Sequence, residues 1–140
     1  MWYQMTRINL VEPSELTDQH LIAEYREIFM VGGSLRRTLV SKSGYQESKV
    51  PKRYTLNAGH VYFFYNKGKY LHKRYHELIT EMKKRGFQPD STRVFPTSVF
   101  KDNGLYKDWM PNIEDYKIIR QRISEKIAMK PNWYRKTNIL

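Results

Sequence analysis

Lys69-Tyr70-Leu71-His72-Lys73-Arg74-Tyr75-His76-Glu77-Leu78-Ile79-Thr80-Glu81-Met82-Lys83-Lys84-Arg85, followed by Gly86, is the stretch on which the reading of the fold turns. Leu71, Tyr75, Leu78 and Met82 recur at intervals of four, three and four, which places them on one stripe of a helix. Lys83, Lys84 and Arg85 suit the negative end of the helix dipole, and Gly86 can adopt the left-handed conformation that ends a helix. The spacing predicts a helix over 69–85.

Upstream, a helix is expected to begin after Pro13, with Ser14 as N-cap and Glu15 and Asp18 in its early turns. Leu16, Ala23, Leu35 and Leu39 give its apolar spacing, with Ile22, Tyr25, Ile28 and Phe29 between. Gly32-Gly33 predicts a kink, a break or a close contact. Residues 41–69 contain Pro51 and read mostly as loop. Within them Val61-Tyr62-Phe63-Phe64-Tyr65 has strand character, but with no partner strand nearby an apolar segment covering the core is the better reading. Residues 87–111, with Pro89, Pro96 and Pro111, form another long connection. A last helix is expected from Asn112 as N-cap, with Glu114 and Asp115 in its first turn and Tyr116, Ile119, Ile123 and Ile127 as its buried stripe. Pro131 closes it, and Asn132-Trp133-Tyr134-Arg135-Lys136 is an aromatic, basic tail. The expected fold is all-α: a compact single domain of three helices joined by long irregular loops, without repeats or low-complexity segments.

Composition narrows the function. The net charge of +11 favours a polyanionic partner over a merely soluble basic surface. Eleven Tyr and three Trp add rings that stack on bases as well as fill a core. Cysteine is absent, which excludes disulfides, thiolate metal sites and a cysteine nucleophile. No apolar run approaches the roughly 18 residues of a membrane span, and no signal peptide is visible, so cytoplasm is the simplest compartment.

Three constellations invite chemistry. His72 and His76 share a helix face, but no third ligand or intervening glutamate accompanies them, so two exposed or DNA-facing histidines are the plainer reading. Asn57-Ala58-Gly59-His60 lacks a phosphate-loop lysine and reads as a turn that sets His60 in a buried hydrogen-bond network. Met5-Thr6 is a pair from which removal of an initiator methionine leaves a free threonine amine, and Glu27, in a basic helical segment, is a candidate partner for it. Spacing alone leaves Glu27 open between a site acid and a surface salt bridge.

From Met5 onward, Met5-Thr6-Arg7-Ile8-Asn9-Leu10, Asp18-Gln19-His20-Leu21 and Ala23-Glu24-Tyr25-Arg26-Glu27, then Ala58-Gly59-His60-Val61, Phe63-Phe64-Tyr65, Lys73-Arg74, Glu77-Leu78-Ile79, Lys84-Arg85-Gly86-Phe87 and Glu125-Lys126-Ile127-Ala128, resemble in order the bacteriophage pyrimidine-dimer DNA glycosylases, also called phage endonuclease V. The resemblance spans nearly the whole chain, with a small insertion near 94–110. It implies a compact three-helix fold and a bifunctional repair enzyme that excises UV-induced cyclobutane pyrimidine dimers and cleaves the resulting abasic site by imine formation and β-elimination.

The same resemblance implies Thr6 as the amine nucleophile and Glu27 as the carboxylate beside the attacked sugar. It implies Arg7 and Arg26 on phosphates, further DNA contacts from Gln19, Arg122 and Lys126, and His20 beside the site. An α-amine has a pKa near 8 against about 10.4 for lysine, so at neutral pH it is nucleophilic hundreds of times more often. No metal or other cofactor is expected, the partner is double-stranded DNA carrying dimers or abasic sites, and the protein is expected to act as a monomer.

The chain departs from the pattern in five places. Met30 replaces a phosphate-binding arginine. Tyr75 and Arg93 stand at DNA-contact positions that are smaller or uncharged in the family. The tail after Tyr134 is short. Arg36, Arg37 and Arg93 are the cations left to compensate for Met30. Finally, Met1-Trp2-Tyr3-Gln4 precede the Met-Thr pair. Met5 is expected to be the working start, with 6–140 as the glycosylase domain. If Thr6 has no free amine, the rival expectation is a non-catalytic protein of the same fold that binds damaged or distorted DNA; a third is the same enzyme with another lesion preference.

Overall fold

Three long helices carry the architecture, and the connections between them hold short helical turns where irregular loop was expected. The computed structural model describes residues 7–139. Within them the order is a 3-10 turn at Pro13–Glu15, α1 at Asp18–Leu39, a 3-10 turn at Glu47–Lys49, α2 at His60–Phe63, α3 at Gly68–Lys84, α4 at Thr97–Lys101 and α5 at Ile113–Met129. All regular structure among the described residues is helical.

α1 starts later than the sequence suggests. Pro13 begins a separate 3-10 turn, Leu16 is extended and sinks into the core, and Thr17 rather than Ser14 caps the helix, its hydroxyl accepting from the His20 N–H. The Gly32-Gly33 pair does not break α1, which runs unbroken through it. Gly32 serves a close contact: a Cβ there would come within 2.8 Å of Pro96 Cγ, so the missing side chain lets the segment before α4 lie against the helix. Val61–Tyr65 covers the core as expected, but its first residues complete the single helical turn of α2. Phe63, Phe64 and Tyr65 are buried.

α3 matches its expected span, and Gly86 beyond it has φ of 87°. Its buried face holds Leu71, Tyr75, Leu78 and Met82, and with them Arg74 and Glu81. Those two charges on an apolar face have partners drawn from the start of the chain. α1 and α3 pack on one another, and α4 seats Phe100 over the start of α3, where a Cβ on Gly68 would fall 2.5 Å from the ring. α5 opens with a reciprocal cap between Asn112 and Asp115. Its stripe is only partly buried: Ile119 is fully enclosed, while Tyr116, Ile123 and Ile127 are half-covered.

Candidate nucleic-acid interface

The site is built around the lead into the fold, residues 7–11, which is held from four directions. The Ile8 N–H donates to His60 Nε2 at 2.9 Å, and the Tyr54 hydroxyl donates to the Ile8 carbonyl at 2.7 Å. Asn9 donates its backbone N–H and its side-chain amide to Glu24 Oε1, at 3.2 and 2.9 Å. Arg74 Nη1 donates to the carbonyls of Leu10 and Val11, at 3.1 and 2.6 Å. Arg7 Nε donates to the Leu56 carbonyl at 2.9 Å. Leu10 has φ of 61°, a left-handed conformation rare for a branched side chain, closed by the Val11 N–H donating to the Asn9 carbonyl.

Two buried groups govern this clamp. Glu24 and Arg74 are 0% and 2% exposed and meet in a fork, Nε to Oε2 at 2.7 Å and Nη2 to Oε1 at 3.0 Å. Burial opposes the Arg74 charge, but the Glu24 carboxylate outweighs it and holds the guanidinium above its usual pKa. The other group is His60. Because its Nε2 accepts from Ile8, Nδ1 carries the proton and donates to the Thr55 carbonyl at 2.8 Å. Burial pushes this imidazole down to about 4, against the Thr55 hydrogen bond that favours its charge, with Arg7 and Arg122 adding to the fall. His60 thus sits in the buried network its turn suggests.

Outside the clamp lies a basic rim. Arg122, on α5, is half-buried and brought below its usual pKa by burial and then by the neighbouring Arg7. His20 is pushed down to about 4 by burial first, then by Arg122 and Lys126, against the pull of Glu24. Its Nδ1 meets the Thr17 hydroxyl at 2.7 Å, and its ring stacks on Tyr134 at 4.7 Å. Arg7, Arg122 and Lys126 therefore form one positive surface at the start of the lead, with the neutral His20 ring among them. Glu27 lines a small crevice beside it with Ile8, Met30, His60 and Val61. Arg26 is exposed on the outer face of α1.

The remaining sequence-expected residues take other places. Gln19 holds the C-terminal tail: its amide donates to the Trp133 carbonyl at 2.7 Å and accepts from the Arg135 N–H at 2.9 Å. Tyr75 requires a correction. At 2% exposure it is a core ring between Tyr25, Phe29 and Phe95, as its place on the apolar stripe of α3 dictates, and it has no surface to offer DNA. Arg93 lies over the Phe29 ring at 3.9 Å and donates to the carbonyls of Tyr25 and Arg26. Thr6 lies outside the described residues. His72 and His76 face each other at 3.2 Å, and no group of three or more His, Cys, Asp or Glu side chains that could hold a metal ion occurs among the described residues. Nor is any helix among them long and apolar enough to cross a membrane.

Asn9, Tyr54 and the Glu24–Arg74 pair were not singled out from sequence as parts of the site. A signal was there: Glu24 lies three residues after Leu21 and Arg74 three after Leu71, so each places a charge on a buried helix face, where only a paired charge is stable.

A family model described as pyrimidine dimer DNA glycosylase matches residues 5–94. The match takes in the clamp from Asn9 to Arg74, together with Thr6, Arg7, Arg26 and Glu27; Arg122 and Lys126 lie beyond it. With well over half of its length inside that match, the chain belongs to the pyrimidine dimer DNA glycosylase family.

Proposed function

We propose that the protein excises cyclobutane pyrimidine dimers from duplex DNA and then cleaves the strand at the abasic site, with the Thr6 amine as nucleophile. The amine bonds to the sugar C1′ as the bond from C1′ to the pyrimidine nitrogen breaks and the base leaves with that electron pair. Opening of the C1′–O4′ bond gives a protonated imine. Loss of a C2′ proton then expels the 3′ phosphate. Glu27 stabilises the positive charge developing on the sugar and takes up a proton. Arg7, Arg26, Arg122 and Lys126 hold the phosphates of bent DNA, with Gln19 and His20 beside them.

The observation that carries this reading is the clamp. Residues 8–11 are fixed by buried partners, Ile8 lines the crevice that holds Glu27, and Arg7 and Arg122 lie close together beside it. A firmly seated lead next to the reacting amine supports this reading, because a positioned nucleophile attacks in an effectively intramolecular step. The reading requires a free amine on Thr6, a residue that lies within the family match. Arg93 contributes to DNA binding through α1, whose carbonyls it braces.

The test compares two proteins, one beginning at Thr6 and one retaining residues 1–5, on UV-irradiated plasmid with borohydride trapping. The first is expected to nick and to form a trapped protein–DNA adduct; the second binds but turns over far more slowly, because an amide nitrogen is not nucleophilic. Glu27→Gln in the first protein is expected to lower excision at least about a hundredfold. Equal rates, with both N-termini verified by mass, would remove Thr6 from the mechanism.

A further inference from the structure

The outer face of α1 has a positively charged stripe with a gap in it. At about 100° per residue, Arg26, Met30, Gly33 and Arg37 fall within about 60° of one another, opposite the buried face of Leu21, Ile28 and Leu35. Met30 is apolar yet 45% exposed, and it borders the crevice that holds Glu27. An exposed methionine offers a phosphate nothing. A phosphate lying along this stretch would have to be met by a cation from elsewhere on the helix.

Three arginines are near enough to consider, and the geometry separates them. Arg93 is committed: its guanidinium stacks on Phe29 and is hydrogen-bonded to two α1 carbonyls. Arg36 is about 180° around the helix from Glu27, on the far flank. Arg37 is on the stripe, and its side chain turns back toward the N-terminus of α1, as helical side chains do. A Cβ on Gly33 would lie 3.7 Å from Arg37 Nη1, so the guanidinium spreads over the space this glycine leaves, one turn closer to Met30 than its own Cα. No carboxylate forms an ion pair with Arg37 among the described residues.

We infer that Arg37, laid back across Gly33, is a phosphate-binding residue that continues the DNA track of Arg26 past Met30. The inference rests on the DNA-binding reading given above. It assigns Gly33 a role too: a long side chain there would lift the guanidinium away from the stripe.

Binding of a labelled duplex, dimer-containing and undamaged, measured by anisotropy across a salt series, tests this. For Arg37→Ala the slope of log affinity against log salt is expected to become shallower by about one. Between about 50 and about 200 mM salt the parent then loses about three- to fourfold more affinity than the variant. The loss should be alike on both duplexes, since a phosphate contact reads no lesion. Arg36→Ala should leave the slope unchanged, and Met30→Arg in the Arg37→Ala background should restore it. An unchanged slope in Arg37→Ala, with Arg26→Ala still shallower, would overturn the inference and leave the DNA-binding reading intact. An equal fall in Arg36→Ala would overturn it by showing a diffuse charge effect. A parent protein whose binding does not respond to salt would sink both.

Discussion

Both ends of the described chain are fastened to α1, and they are held in opposite ways. The lead at 7–11 is fastened from inside, by groups almost or wholly removed from water: Glu24, Arg74, His60 and Tyr54. The tail at 133–137 is fastened from outside, by the amide of Gln19, the carboxylate of Asp18 and the stack of Tyr134 on His20. A hydrogen bond exposed to water contributes little net, whereas a buried charge deprived of its partner is heavily destabilising. The difference teaches that the N-terminal lead is part of the core and the tail is an adjustable cover. Chemistry belongs at a fixed point, and contact with a distorted duplex tolerates an adjustable one.

Glu24→Gln should break this contrast most severely. It leaves the Arg74 guanidinium buried without a counter-charge, and a loss of about 3–5 kcal/mol is expected in urea unfolding. A loss below about 1 kcal/mol would mean that water reaches the pair and that the lead is no better fixed than the tail.

Acid should loosen the lead next. His60 is neutral in the fold with its pKa lowered from 6.5 to about 4, so its contribution is complete above pH 6.5 and disappears as pH falls through about 4. The shift corresponds to about 3 kcal/mol. His20 titrates in the same sense, by burial and by Arg122 and Lys126. Thermal unfolding followed from pH 7 to pH 4 should show this decline, and His60→Gln, which does not titrate, should remove about half of it, the shifts of the two histidines being alike. A decline of the same size in His60→Gln would assign it elsewhere.

The tail should give the smallest effect. Gln19→Ala and Tyr134→Ala are each expected to cost about 1 kcal/mol or less. Their effect on DNA affinity should exceed their effect on the rate of imine trapping. If either variant unfolds as readily as Glu24→Gln, the tail is a structural element and the contrast fails.

Much of this was legible in the sequence, for reasons that differ by region. α3 declared itself through the Leu71–Met82 stripe and Gly86, and α5 through Asn112 and Asp115, because these signals are complete within a few residues. The start of α1 was misread because Ser14 and Thr17 are both good caps, and only the burial of Leu16 in extended form decides between them. Tyr75 showed the same limit from the other side: its spacing spoke for the core, its aligned position for DNA. The cationic residues Arg7, Arg122 and Lys126 could be named one by one, but not grouped, because α5 and the lead are more than a hundred residues apart in sequence. Neither could the clamp be assembled, since it joins Asn9 to Glu24 and Arg74 across long separations.

Those separations have a consequence for the order of events when the chain folds. The anchors of residues 8–11 are supplied by positions 24, 54, 60 and 74, and closing such distant contacts comes at an entropic cost that only a partly formed domain can offset. Until α1 has met α3 and the 54–60 segment has settled on both, the lead has no place to seat, and the left-handed turn at Leu10 has nothing to hold it. A molecule with all its helices but an unfinished core would therefore lack the fixed point on which its chemistry depends. Under the proposed function, it would touch DNA through its cations without excising a base.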